Sequence, residues 1–296
     1  SRGLVVGTAH FCIGQEATAV GAVCALRPDD LVTSNHRGHG HFLAKGADPG
    51  RFLAELMGKA TGYSGGRGGS QHVADFSIGF LGAHGITGGM IPIATGAALA
   101  QKLLRTGRIV LAFFGDGATG QGAFHEAVNM GAAWQLPIVY LCENNLYAMS
   151  TPINEVFRVV RVADRASAYG IPGVQVDGND VEAVYQAVSR AAEAARQGAG
   201  PTLIEALTYR QCGHSKSDQC EYRSAEEEAQ WQERDPIRLL GDRLIARGIA
   251  TAAELERIAA QVEDQIARAV KFAHSSPEPD PATVADGVFN DFDALV

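Results

Sequence analysis

Ile109-Val110-Leu111-Ala112-Phe113-Phe114 followed by Gly115-Asp116-Gly117-Ala118-Thr119-Gly120 is the stretch from which the fold reads. Six apolar residues make a run of strand length, and the glycines that stop it belong to a loop. From Gln121 to Trp134 the residues Phe124, Val128, Gly131 and Trp134 recur on one helical face, so the order is strand, loop, helix. Working outward, Pro137 to Cys142 predicts a second buried strand, Gly173 to Val176 a third and Pro201 to Leu207 a fourth, with the Ala-rich helix Val181 to Gln197 between the last two. Such alternation predicts an α/β fold, a doubly wound and mostly parallel sheet with right-handed crossovers. From Ala225 the chain reads as helical through Pro236 to Arg247 and Ala252 to Phe272, until the Pro-rich stretch Ser275 to Pro281. The expected organisation is one domain, with residues 1–223 as its core and 224–296 as a helical extension.

Composition narrows the function. Of 296 residues, 46% are hydrophobic and 20% charged, enough for a sizeable core. A net charge of −8 without a basic stripe argues against nucleic acid as a partner. The longest apolar runs are too short to cross a bilayer. Five scattered cysteines (Cys12, Cys24, Cys142, Cys212, Cys220) form no C-x-x-C pair and encode neither a disulfide framework nor a zinc ribbon. A reducing compartment is expected, the cytoplasm or an organellar matrix. The chain opens at Ser1 without methionine, so residues carrying any targeting signal are expected to precede it.

Glycine is 35 of 296, roughly 12% against a usual level near 7%. Ten of the 35 fall within residues 62–89. A linker there would be polar, yet Phe76, Ile78, Phe80, Leu81 and Ile86 punctuate the segment. The expectation is backbone that approaches a ligand closely.

Gly115 to Gly120 satisfies G-x-G-x-x-G, with Glu143 at the end of the next strand, as in a dinucleotide fold. Asp116 argues against that reading, because a carboxylate in this loop would face two negative phosphates at a helix N-terminus. A divalent cation between them reverses the sign. Mg²⁺ requires further hard oxygen donors in a near-octahedral shell, and the neighbouring strand ends in Glu143-Asn144-Asn145-Leu146-Tyr147. Either Asn alone would read as a turn; the pair beside an acidic glycine loop reads as metal ligation.

Gly115-Asp116-Gly117, then residues 118 to 143, then Asn144-Asn145 resembles the thiamine diphosphate motif of transketolase-like and 2-oxo acid dehydrogenase enzymes. Gly14-Gln15-Glu16-Ala17, His36-Arg37-Gly38-His39-Gly40, Gly65 to His72, Leu81 to Gly89, Phe124 to Trp134, and Tyr209-Arg210 with Gly213-His214-Ser215 extend the likeness over nearly the whole chain. They are similar to the alpha subunit of the dehydrogenase component of pyruvate, branched-chain 2-oxo acid or acetoin dehydrogenase complexes. The resemblance implies that Asp116, the Asn145 side chain and the Tyr147 carbonyl hold Mg²⁺. It implies that Arg37 and His214 contact the diphosphate, supported by Gly117, Ala118 and His36, which stands where relatives often carry Tyr. Gly85 and Thr87 would meet the aminopyrimidine through their backbone, and His10 would stand near the reacting centre, with His214 beside it.

Plainer readings stand beside these. His39 and His41 read as ordinary core or surface histidines, Arg37 as an ion-pair residue, Ser215 and Ser217 as a solvated covering loop, and Glu126 and Asn129 as subunit contacts. Four positions depart from the relatives: Gly120 and His84 where Asn is common, Thr87 where a β-branched apolar residue is common, and Gln71 where Met is common. The chemistry also needs a carboxylate to protonate the pyrimidine ring, which in split members of the family belongs to a beta chain. The expected assembly is a heterotetramer of two alpha and two beta chains, completed at an interface, in which small residues of a helix from Pro92 to Leu104 (Gly96, Ala97, Ala98, Ala100) serve close packing, inside the chain or between chains. The expected activity is oxidative cleavage of a 2-oxo acid or acetoin with acyl transfer to a lipoyl-bearing acyltransferase. Alternatives are a two-chain carboligase or decarboxylase that does not use lipoate, a non-catalytic scaffold subunit, and a nicotinamide-binding domain, which Asp116 and the Asn pair disfavour.

Overall fold

A computed structural model describes residues 3–5 and 7–286. In chain order it contains α1 (Glu16–Cys24), β1 (Leu31–Asn35), α2 (His39–Ala44), α3 (Pro49–Leu56), β2 (Phe80–His84), α4 (Met90–Leu104), β3 (Val110–Gly115), α5 (Gly122–Ala133), β4 (Ile138–Asn144), a small hairpin of β5 (Tyr147–Ala148) and β6 (Thr151–Pro152), α6 (Ile153–Val156), β7 (Gly173–Asp177), α7 (Val181–Arg196), β8 (Thr202–Leu207), α8 (Ala225–Gln232), α9 (Pro236–Ala246) and α10 (Ala252–Ser275).

The main sheet is parallel throughout, in the order β2-β1-β3-β4-β8-β7. β3 and the first five residues of β4 are continuously apolar because both faces of the sheet are covered there, whereas the edge strand β7, expected to be buried, alternates exposed and half-buried residues. Leu111 and Phe113 of β3, with Val139 and Leu141 of β4, enter a core shared with Val184 and Val188 of α7. Their neighbours Val110, Ala112, Phe114, Ile138 and Tyr140 enter the opposite core, with Ile91 and Ala94 of α4 and Phe124 and Val128 of α5. Full burial of each such side chain contributes roughly 1.5–3 kcal/mol. Gly131 lets α5 lie close, since a Cβ there would collide with the Tyr140 hydroxyl. That hydroxyl bonds Thr95 Oγ1 at 2.7 Å and donates to the Ala127 carbonyl at 3.0 Å, tying both helices to the sheet.

Trp134 does not share the inward face with Phe124, Val128 and Gly131: α5 ends at Ala133, and Trp134, as its C-cap, is 45% exposed. Two strands of the main sheet and the β5-β6 hairpin are additional to the sequence reading. In β1 the buried Thr33 and Ser34 interrupt the apolar pattern, and β2 lies within the glycine-dense stretch, with Gly82 at φ 142°.

The first part of that stretch serves the chain itself, which corrects the expectation of ligand contact for Gly66, Gly68 and Gly69, whereas Gly88 lines a cavity at the carboxyl ends of the strands. Glu55, fully buried on α3, accepts backbone N–H bonds from Ser64 and Gly66 on Oε2 (2.7 and 2.9 Å) and from Gly68 and Gly69 on Oε1 (2.7 and 2.9 Å). The loop wraps one carboxylate, and side chains would obstruct it: a Cβ on Gly66, at φ +78°, would run into the Gly58 carbonyl.

The C-terminal helices return to this body. Phe272 and the buried Ala269 and Ala273 lay α10 along α3, where the Phe272 ring leaves only 3.0 Å for a Cβ on Gly50. Arg243 of α9 donates to Asp180, the N-cap of α7, at 2.9 Å and to Glu182 at 2.8 Å. Among the described residues no helix is long and apolar enough to cross a membrane.

Candidate active site

β1 connects to β2 on one side and the chain then crosses to β3 on the other, so the direction of winding reverses between β1 and β3. In open α/β sheets ligands bind at the carboxyl ends of the strands where this happens. A cavity of about 280 Å³ lies there. Its walls come from the loops after five strands: His36 and Arg37 after β1, Thr87 and Gly88 after β2, Asp116 to Ala118 after β3, Asn145 with Tyr147 to Met149 after β4, and Arg210 with His214 after β8. Register explains the central pair: Gly115 is the partner of Glu143, so the Asp116 loop and the Asn144-Asn145 loop leave the sheet side by side.

The charges around the cavity are unbalanced in a particular way. Asp116 is 1% exposed and its Oδ2 has no hydrogen-bond partner among the described residues. Burial pushes its carboxyl up to about 6 against the lowering pull of nearby backbone N–H groups. Arg37 and Arg210 are likewise buried, and neither has a carboxylate partner among the described residues. Arg37 donates to the carbonyls of Phe11 (2.9 Å) and His214 (2.8 Å). Arg210 donates to the Cys212 and Met149 carbonyls at 3.1 and 2.8 Å and to the Tyr222 hydroxyl at 2.6 Å. Burial, then the charge of Arg210, lowers Arg37 to about 9. Two guanidiniums without counter-charge call for an anion, and a buried carboxylate oxygen without a donor calls for a cation.

Three histidines face the guanidiniums. His10 stacks edge-on against His36 and His214 at 4.7 and 4.9 Å between ring centres. Burial, then the charge of Arg37, lowers His10 and His214 to about 4 and His36 to about 2, so all three are neutral near pH 7. His36 Nε2 is buried without a partner. His214 is held by its backbone, whose N–H donates to Asp218 Oδ2 at 2.6 Å.

Among the residues expected to ligate metal, Asn145 has its orientation fixed by α1: its Nδ2 donates to Gln15 Oε1 at 3.1 Å, and its Oδ1 accepts only a long 3.3 Å bond from Tyr147 N–H, which leaves acceptor capacity. Asp116, Asn145 and Tyr147 line the same cavity. Gly117 and Ala118 also line it, and a Cβ on Gly117 would come within 3.0 Å of Ala148. Thr87 lines it together with Gly88, whereas Gly85 does not; a Cβ on Gly85 would meet the Gln71 amide at 2.5 Å. His10 stands behind the wall, its Nδ1 accepting from the Gln71 amide Nε2 at 3.0 Å.

Sequence reasoning gave no role to Arg210, although its burial beside the cavity equals that of Arg37; a buried arginine carries no mark in a single sequence. Glu143 completed the dinucleotide pattern that Asp116 argued against. Glu143 instead bonds His41 Nε2 at 3.0 Å, and His41 stacks on Phe113 at 3.7 Å while its Nδ1 bonds Ser34 Oγ at 2.8 Å. His41 is thus a satisfied core histidine, as its plain reading had it, and His39 bonds Ser70. Arg37 is not an ion-pair residue.

Two departures near the cavity have local explanations. His84 Nδ1 accepts from the Ile86 N–H at 2.9 Å, the two-residue reach an Asn side chain would make. Beside Gly120 the space is filled by Phe157, whose ring would lie 3.0 Å from a Cβ.

Residues 1–282 match the family described as Dehydrogenase E1 component. The chain is 43% identical over 290 residues to the alpha subunit of acetoin:2,6-dichlorophenolindophenol oxidoreductase from Bacillus subtilis (strain 168), covering 98% of this chain and 86% of the relative. It is 44% identical over 279 residues to the alpha subunit of the pyruvate dehydrogenase E1 component from Rhizobium meliloti (strain 1021), covering 94% and 80%. The alpha subunit of acetoin:2,6-dichlorophenolindophenol oxidoreductase from Cupriavidus necator is 40% identical over 289 residues, covering 97% and 87%.

Proposed function

This chain belongs to the dehydrogenase E1 component family, and from that premise we propose that it is the alpha subunit of an enzyme that oxidatively cleaves a 2-oxo acid or acetoin, binding Mg²⁺ and the diphosphate of thiamine diphosphate in the cavity at the β1/β3 crossing. The family implies thiamine diphosphate. One observation carries the assignment of the site: a buried carboxylate oxygen without a donor at Asp116 faces the same cavity as two buried guanidiniums without a counter-anion. A magnesium diphosphate satisfies both demands together, where a bare phosphate would be repelled by Asp116 and a bare cation by Arg37 and Arg210.

In this reading Asp116, the Asn145 amide oxygen and the Tyr147 carbonyl hold the metal; Arg37, Arg210 and His214 hold phosphate oxygens. His36 offers its unpartnered Nε2 to the same anion. Gly117 and Ala118 bring backbone to the diphosphate, and Gly85 and Thr87 serve the aminopyrimidine, Gly85 through its backbone from behind the cavity wall. When bound, thiamine diphosphate would supply a nucleophilic carbanion and a cationic thiazolium ring that takes up the electron pair of carbon–carbon cleavage. The chain's residues bind and orient it, and neutral His10 and His214 can accept a proton beside it. Acyl transfer then runs to a lipoyl-bearing acyltransferase.

The carboxylate that protonates the pyrimidine comes from a beta subunit, in a heterotetramer of two alpha and two beta chains. An apolar face suited to that partner is exposed on α4 and α5, which pack on each other: Ile93, Met130 and Trp134 are 51%, 41% and 45% exposed, and a Cβ on Gly96 would meet nothing within 4 Å. Glu126 and Asn129 are exposed on α5 as well. Purified chain supplied with thiamine diphosphate and Mg²⁺ is therefore expected to turn over neither pyruvate, branched-chain 2-oxo acids nor acetoin with an artificial electron acceptor, and to gain turnover when a beta chain is added. Substantial turnover by the isolated chain would overturn the split site, and carboligation products without oxidative turnover in the assembled enzyme would overturn the dehydrogenase reading.

A further inference from the structure

Tyr147 and Tyr209 leave the carboxyl edge of the sheet on different loops, one after β4 and one after β8, and their hydroxyls meet on a single carboxylate. Glu227 accepts from the Tyr209 hydroxyl at 2.7 Å on Oε1, and from the Tyr147 hydroxyl at 2.9 Å on both Oε1 and Oε2. Glu227 lies in the first turn of α8, capped by Ser224. One turn on, Trp231 stacks flat on Tyr209, with ring centres 5.1 Å apart and planes 3° from parallel. Arg223 closes the cluster from below, its guanidinium 4.8 Å from the Tyr147 ring centre and 4.6 Å from that of Tyr209, while it donates to the Arg210 carbonyl at 2.6 Å.

The Tyr147 segment needs an external hold. Strand β5 has two residues, and Leu146 and Met149 on either side sit in the left-handed region at φ 73° and 57°, which side chains other than glycine and asparagine adopt at a cost. The 7% exposure of Tyr147 and 1% exposure of Tyr209 show both rings anchored. Burial, then the bond to Glu227, pushes Tyr147 up to about 12, and the same causes raise Tyr209, so both stay donors at neutral pH.

We propose that Glu227 is a positioning residue for magnesium diphosphate, fixing Tyr147 so that its carbonyl faces the metal and Tyr209 so that Arg210 faces the anion. The inference rests on the magnesium diphosphate reading of the cavity. It gives the helical segment after residue 223 a part in the site that ends of strands alone do not supply.

The test uses the assembled enzyme stripped of cofactor, titrated with thiamine diphosphate at graded Mg²⁺ concentrations. Glu227→Ala is expected to raise the Mg²⁺ concentration for half-maximal binding by about tenfold, the scale on which groups that orient metal ligands act. Glu227→Gln, which keeps one acceptor oxygen, is expected to recover most of the loss. Tyr147→Phe is a milder variant that should move the Mg²⁺ dependence in the same direction, and to combine with Glu227→Ala less than additively. A lower melting temperature with unchanged Mg²⁺ dependence in Glu227→Ala and Tyr147→Phe would overturn the inference. Asp116→Ala in the same titration separates the two failures: if it too leaves the Mg²⁺ dependence unchanged, the metal reading itself has failed, whereas a silent Glu227 beside an affected Asp116 defeats the positioning role alone.

Discussion

Glu55 and Asp116 are both fully buried carboxylates set among glycines, yet the chain completes the first and leaves the second open. Glu55 takes four N–H bonds from the loop of residues 64–69 and needs nothing else. Asp116 keeps Oδ2 without a donor among the described residues, in a cavity that Arg37 and Arg210 also line. Glycine content is the same signal in both places and has two physical meanings. At Glu55 it admits close packing of the chain on itself; after β3 it clears a space beside charges that the chain does not neutralise.

The comparison breaks most visibly at Asp116. Asp116→Ala is expected to lower Mg²⁺-dependent affinity for thiamine diphosphate by more than about a hundredfold while leaving the fold intact, since it removes one hard ligand and relieves a buried charge. Asn145→Ala should act in the same direction. Glu55→Ala should do the reverse. Four partly buried N–H groups lose their acceptor, a loss of about 2 kcal/mol or more of stability by chemical denaturation, with the Mg²⁺ dependence of the remaining folded protein unchanged. Equal effects of both substitutions on cofactor affinity would erase the distinction.

pH sharpens it further. His10, His36 and His214 have folded values below their ordinary 6.5, so their contribution to the stability of the cofactor-free protein is present above 6.5 and is lost as pH falls toward about 4. Asp116, raised from 3.8 to about 6, works the other way: its contribution is present below 3.8 and lost as pH rises through 6. Three groups outweigh one, and the melting temperature of the cofactor-free protein should fall between pH 7 and pH 4.5. Asp116→Ala removes the opposing group and should steepen the fall; His36→Phe should make it shallower. Identical profiles in all three proteins would show that these groups do not carry the response.

The smallest effects belong to two of the four departures from the relatives, His84 and Gly120. His84→Asn should change catalytic efficiency by less than about threefold, because either side chain can accept the Ile86 N–H. Gly120→Asn must displace the Phe157 ring, over which Arg165 stacks at 4.1 Å, and should cost about 1 kcal/mol of stability without changing the preferred donor. A switch of donor in either variant, measured by kcat/KM for pyruvate and acetoin in the assembled enzyme, would make these positions part of specificity.

What the sequence disclosed follows the same physics. Strands β3, β4 and β8 and helices α5 and α7 were legible because burial on both sheet faces or on one helix face leaves an apolar record, whereas β7, expected as a buried strand, is an edge strand that alternates exposed and half-buried residues. β1 was not, since Thr33 and Ser34 are buried polar residues, and β2 was hidden in glycines. The Asp116 and Asn145 loops were legible through residue types that mean little in a core and much beside a metal. Arg210, Gln15 and Glu227 were not, because their roles consist of partners 61 to 130 positions away in sequence, Met149 for the first, Asn145 for the second, Tyr147 for the third, and only the folded sheet brings them together.

Calorimetric titration of the assembled wild-type enzyme, stripped of cofactor, with thiamine diphosphate in the presence of Mg²⁺ and again in excess chelator tests the central claim most directly. If Asp116 is left open for a cation that joins it to the diphosphate, binding heat appears with Mg²⁺ and vanishes with chelator. Equal affinity under both conditions would mean that the diphosphate enters without a metal, and that the unpartnered oxygen of Asp116 has been misread.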